Sequence, residues 1–180
     1  MRAFATSALV VAAMTVTALT AVTGTANAAI MVENQQLANV EFSEDGGYCV
    51  VDENGSFIGA CSLYGNQELW NFESVYPDAP NHAYANVRIR STAWNQCLTV
   101  LDKTGPGGFG KEVSPRACNG SAAQEWASTR SAGGSLNYFN FQYRVCLDGG
   151  YGDTYGYPEN GCNANGENPY EDWYYLPLRE

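Results

Sequence analysis

The chemistry open to this chain is set by its cysteines, its acids and its aromatic-rich turns. It has six cysteines and one histidine in 180 residues. There is no Cys-x-x-Cys, and His82 stands alone in the turn-like stretch Pro80-Asn81-His82-Ala83-Tyr84. Neither a metal centre nor an imidazole-activated nucleophile can be assembled from these. An even number of cysteines instead reads as disulfides, which leaves no thiolate for catalysis. The 19 acidic residues are too many to single out a glycosidase pair by residue type. Val50–Gly59 and Asp148–Asp153 hold acids and glycines, but not at the spacing of a calcium loop. The expectation is a chain with no catalytic residue, no metal and no cofactor.

The residue types leave both a small ligand and a protein partner open, and the negative charge says little about neutral partners such as sugars. A sugar pocket needs an aromatic face over the C–H side of the ring. It also needs a carboxylate and an amide for neighbouring hydroxyls. The turn after Cys146 carries such groups: Asp148, Tyr151, Tyr155, Tyr157 and Asn160.

The elements that must position these groups repeat along the chain. Cys49–Trp70, Cys97–Trp126 and Cys146–Trp173 each run in one order: cysteine, short apolar strand, glycine-rich turn, second cysteine, polar turn, closing triplet. The triplets are Glu68-Leu69-Trp70, Gln124-Glu125-Trp126 and Glu171-Asp172-Trp173. The lead cysteines Cys49, Cys97 and Cys146 are almost evenly spaced, and such internal periodicity is the mark of a repeat architecture. The repeat suggests one disulfide inside each copy: Cys49–Cys61, Cys97–Cys118 and Cys146–Cys162. Linkage between copies is the alternative, since six cysteines allow 15 pairings.

Short β-branched or aromatic runs bounded by Gly, Asn, Asp or Pro, such as Asn86–Arg90 and Phe139–Leu147, read as strands. No segment beyond the N-terminus holds a helical period with caps. Leu37–Val40 is ambiguous, and residues 30–40 are either a free arm or a first strand. Residues 1–28 read as a signal peptide: a basic start, the apolar run Ala8–Ala21 and the small-x-small site Ala26-Asn27-Ala28. The run is short for a membrane span, so secretion without membrane insertion is expected. The remaining chain of roughly 150 residues suffices for one domain with its own core. A net charge of −10 argues against nucleic acid and anionic lipid, whose phosphates need a basic face.

Three copies of Cys-Leu-(Asp)…Gly…Cys…Gln-x-Trp resemble the ricin B-type β-trefoil lectins, also found as carbohydrate-binding modules. Gln96–Trp126 is the nearest match, followed by Cys146–Trp173. The resemblance covers about residues 36–178. It implies an all-β trefoil of three pseudo-repeats (about 36–80, 81–131 and 132–178) in a single domain, 29–180. Trp70, Trp126 and Trp173 would pack at the barrel base, and the Glu or Gln two residues before each would bond backbone in the same turn.

The family places Asp two residues after the first cysteine, an aromatic about two before the second, and Asn just before the triplet. The first copy has Val51, Gly59 and Gln67 there, with Asp52 and Asn66 adjacent. The second has Thr99, Arg116 and Ala123, a site without function. The third keeps Asp148 but has Asn160 and Tyr170 in the other places. The resemblance therefore implies sugar contacts at Asp148, Tyr151, Tyr157, Asn160 and Glu171, with Asp52, Asn66 and Gln67 as a weaker set. The alternative role for Asp148 is to cap the Gly149-Gly150 turn. The expected function is a secreted, extracellular, non-catalytic carbohydrate-binding protein. The other reading is a secreted protein–protein adaptor or toxin-accessory subunit on a trefoil with degenerate pockets.

Overall fold

A computed structural model describes residues 30–41, 47–53, 55–75, 85–131, 133–158, 162 and 168–177. The expected signal peptide, His82 and Asn160 lie outside the described residues, as does the side chain of Tyr151.

Twelve strands are present among the described residues, four to a copy. The first copy has β1 (Ile30–Asn39), β2 (Tyr48–Asp52), β3 (Ser56–Ala60) and β4 (Leu69–Ser74). The second has β5 (Ala85–Ser91), β6 (Gln96–Thr104), β7 (Lys111–Ala117) and β8 (Trp126–Arg130). The third has β9 (Leu136–Asn140), β10 (Val145–Asp148), β11 (Tyr155–Pro158) and β12 (Trp173–Pro177). The outer strands of each copy pair in a closed antiparallel ring, β1-β4-β5-β8-β9-β12 and back to β1. The inner pairs β2/β3, β6/β7 and β10/β11 are hairpins that cap it. This closed barrel of three units is consistent with the trefoil implied by the sequence. Residues 30–39 are not a free arm: β1 pairs with β2, β4 and β12, and it begins before residue 36.

Alternation explains why these runs form barrel strands. In β5, Val87, Ile89 and Ser91 are buried while Arg88 and Arg90 are only partly covered, the two-residue period of a strand with one face in the core. The core joins Leu37, Val50, Trp70, Phe72, Ile89, Leu98, Trp126, Tyr138, Leu147 and Trp173. The three tryptophans are fully buried. Each indole N–H donates to the carbonyl one residue after its copy's lead cysteine: Trp70 to Val50 at 2.9 Å, Trp126 to Leu98 at 3.0 Å, Trp173 to Leu147 at 3.1 Å. A buried indole donor needs such a partner, and the same solution recurs in all three copies.

The disulfides are Cys49–Cys61, Cys97–Cys118 and Cys146–Cys162, each within one copy. The turn before each lead cysteine takes a left-handed residue two positions upstream: Gly47, Asn95 and Arg144, with φ of 89, 54 and 54°. Glycine and asparagine accept that conformation readily, whereas arginine does so at some cost. At the hairpin cap the copies meet through buried hydroxyls. Ser56 Oγ donates to the Val113 carbonyl at 2.8 Å and accepts from Thr154 Oγ1.

Candidate functional site

The position two residues after each lead cysteine is buried in every copy. Val51 is 0 %, Thr99 7 % and Asp148 1 % exposed, so what each side chain touches decides whether a ligand can use it.

In the first copy the pocket is filled from within. A Cβ at Gly59 would meet Tyr64, Phe57 and Val51 at 2.8 to 3.0 Å, and the rings of Phe57 and Tyr64 pack edge to face. The two rings fill the space beside Gly59. In the second copy Thr99 Oγ1 donates to the Cys97 carbonyl at 2.7 Å and accepts from Gln124 Nε2 at 3.0 Å. In the third, Asp148 Oδ1 accepts from the Gly150 N–H at 2.7 Å and Oδ2 from Asn168 Nδ2 at 3.0 Å. Burial pushes its carboxyl up, opposed by Gly150, Asn168 and Tyr155. Asp148 thus caps the Gly149-Gly150 turn and holds the closing loop to it. Both carboxylate oxygens have partners within the loop, as the turn-capping alternative requires.

The closing Glu or Gln is internal as well. Glu68 accepts from the Ser62 N–H at 2.5 Å, the Tyr64 N–H and Gln36 Nε2. Gln124 Oε1 accepts from the Asn119 N–H at 2.9 Å, and its amide donates to the Ala117 carbonyl at 2.9 Å. Glu171, expected among the sugar contacts, occupies the same place in the third copy with no exposed surface. Tyr157 is on the surface at 37 % exposed and packs edge-on against Tyr155. Asn66 is exposed and Gln67 half-buried in the turn before Trp70.

A different constellation forms between copies. A cleft of about 270 Å³ is lined by Asp52 from the first copy and by Trp94, Gln96, Pro115, Arg116 and Ala117 from the second. Trp94 is 59 % exposed. Its indole N–H donates to the Asp52 carbonyl at 3.2 Å, which fixes the ring beside the cleft. Asp52 is 1 % exposed, and neither carboxylate oxygen has a well-aligned hydrogen bond. Burial pushes its carboxyl up, with the adjacent Ser91 hydroxyl opposing in part. Arg116 donates from Nη1 to Ser114 Oγ at 2.8 Å and to the Pro115 carbonyl at 2.7 Å, and its Nη2 lies 3.7 Å from Glu112.

The cleft has a cause in the seams between copies. At the third-to-first seam, Asn39 at the end of β1 donates to the Tyr170 carbonyl at 2.7 Å. At the second-to-third seam, Asn140 at the end of β9 donates to the Ala122 and Glu125 carbonyls at 2.9 and 3.0 Å. At the first-to-second seam the strand-end residue is Ser91, and the clasp passes to Thr92, whose hydroxyl reaches the Asn66 and Leu69 carbonyls. The residue facing the strand end is compensated. Gly149 lies against Asn39, so that a Cβ there would meet its Nδ2 at 2.8 Å, whereas the larger Asp52 lies against the smaller Ser91.

Of the weaker expected set, Asp52 alone lines this cleft. The sequence does not mark Trp94, Gln96 or Arg116 as site residues, and Arg116 stands where the resembled family has an aromatic. One signal was present: Trp94 is the only tryptophan outside a closing triplet.

No protein-family model and no curated protein sequence matches the chain. Solved structures do. The designed threefold-symmetric protein ThreeFoil superposes with a TM-score of 0.58 at 15 % identity, over 80 % of this chain and 98 % of its own. The Polyporus squamosus lectin, bound in its structure to a sialylated epitope, gives 0.57 at 12 %, over 82 % of this chain and 50 % of the lectin. A Clostridium perfringens endo-β-galactosidase that releases GlcNAcα1-4Gal gives 0.61 at 13 %, over 82 % of this chain. This chain spans half the length of that lectin and covers 33 % of that enzyme. At these identities the likeness is one of fold: all-β, with β-trefoil neighbours.

Proposed function

We propose that the chain is an exported, non-catalytic carbohydrate-binding protein, lectin-like in the manner of the ricin B-type proteins it resembles. One observation carries the reading: Trp94 holds an exposed indole beside a cleft whose lining offers an amide and a guanidinium, with the buried Asp52 carboxyl behind them. An aromatic plane next to hydrogen-bonding groups is what a pyranose requires. Trefoil lectins among the structural neighbours support the same reading. Asp148 then serves to order its own loop. The test is retention of the mature protein on immobilised polysaccharide or a glycan array, with elution by free sugar.

The adaptor reading has its own support. Leu63, Phe109 and Phe141 are 73, 55 and 65 % exposed, and exposed apolar side chains suit a protein interface. An adaptor would pass through every sugar column and co-purify with one defined secreted protein.

A further inference from the structure

We infer that the seam between the first and second copies is the one sugar site among the described residues, and that it takes one uncharged pyranose residue with adjacent free hydroxyls. The inference rests on the carbohydrate reading above and specifies its ligand and its valency.

The ligand class follows from the lining. Arg116 supplies only donors and the Gln96 amide both donors and an acceptor, while Asp52, 1 % exposed, sets the charge behind the lining rather than touching the ligand. A uronic or sialic acid would bring its carboxylate to a cleft lined by Asp52, on a chain of net charge −10. An amino sugar would bring its ammonium to Arg116. A neutral ring meets no like charge, and its hydroxyls can accept from the guanidinium and exchange hydrogen bonds with the Gln96 amide. Arg116 remains able to serve, since its anionic neighbour Glu112 is 3.7 Å away and is shared with Lys103 at 3.6 Å. The volume of about 270 Å³ lies below the usual range of small-molecule pockets, so it suits one ring rather than a chain of them.

The valency follows from the other two copies. Trp94 stands three residues before Cys97. The matching residue before Cys49 is Gly46, which has no ring. The one before Cys146 is Tyr143, whose ring packs against the core, with the Lys111 ammonium 5.8 Å from its centroid. That aromatic face is already covered by a cation of the same chain. The counterparts of Asp52 are Val100 and Gly149, so neither of the other seams combines a carboxylate with an open ring.

The experiment is calorimetric titration of the mature protein with methyl galactoside, methyl glucoside and methyl mannoside, and with glucosamine and glucuronic acid. Wild type is compared with Trp94→Ala, Gln96→Ala and Phe141→Ala. Phe141 is an exposed aromatic in the matching turn of the third copy and serves as the control. The expected result is one site per chain for at least one neutral glycoside, with at least tenfold weaker binding of both charged sugars. Trp94→Ala and Gln96→Ala should each weaken binding tenfold or more at unchanged circular dichroism, while Phe141→Ala binds as wild type. Equal binding of a charged sugar, a stoichiometry of two or three, or indifference to both cleft variants overturns this inference while leaving a carbohydrate-binding protein. Absence of binding to these sugars and to a broad glycan array overturns both.

Discussion

The indole N–H of Trp94 donates to the carbonyl oxygen of Asp52 at 3.2 Å, so the second copy's turn is tied to the end of the first copy's β2. This bond orders an exposed ring without burying it. The other tryptophans use the same donor to lock a core, and the two uses have different energetic consequences.

Trp94→Ala removes one partly exposed hydrogen bond, a net cost of about 1 kcal/mol. Trp126→Ala removes a fully buried side chain and its bond to Leu98, and should cost about 3–5 kcal/mol. Urea denaturation of the two variants checks the contrast. Equal losses would mean that Trp94 is a core residue and no platform.

The seam residues should be exchangeable as pairs. Ser91→Asn places a longer side chain against Asp52 and should destabilise by about 1–3 kcal/mol through overpacking. Adding Asp52→Gly recreates the Asn39–Gly149 pairing and should recover much of the loss. A double-mutant cycle should give a coupling of about 0.5–3 kcal/mol. Strict additivity would show that the two positions do not face each other energetically.

Asp52 also sets a pH dependence. Its folded carboxyl titrates above the ordinary aspartate range because it is buried. Between those two values the folded chain holds more protons than the unfolded one, so stability falls as pH rises across the window and stays lower above it. Asp52→Asn removes this effect. The variant should melt higher than wild type at neutral pH, and the gain should vanish as pH drops below the ordinary aspartate range. Melting curves from pH 3 to 8 test the sign (a gain that grows on acidification is the contrary result). Asp148 and Asp153 shift in the same direction, which is why the difference between variant and wild type is the quantity to read.

Asp148→Ala removes the acceptor of the Gly150 N–H and of Asn168 Nδ2. The expected cost is about 1–3 kcal/mol, with the neutral-sugar affinity of the cleft unchanged. Loss of binding without loss of stability would return Asp148 to the ligand.

The fold was readable because its determinants repeat locally. Cysteine, turn, cysteine and Glu/Gln-x-Trp recur at similar intervals, and each closing tryptophan has the same physical job of filling the core and bonding the strand after its lead cysteine. The site was not readable in the same way. Asp148 and Glu171 have the residue types of sugar ligands, but both are buried and Asp148 bonds within its own loop, and sequence does not report such burial. Asp52 and Trp94 are 42 residues apart in different copies, and only closure of the barrel brings them together. The seam's departure from symmetry, Ser91 where the other copies have Asn39 and Asn140, carries meaning only once the clasp made by those asparagines is seen.

Each disulfide begins and ends within one third of the chain, and β1 lies antiparallel beside β12, with Gln35 opposite Pro177. No covalent crosslink therefore dictates which third comes first in translation. A circular permutant, joined by a short linker from β12 to β1 and reopened at Gly133–Gly134, keeps every crosslink, and its reading order no longer matches that of its parent.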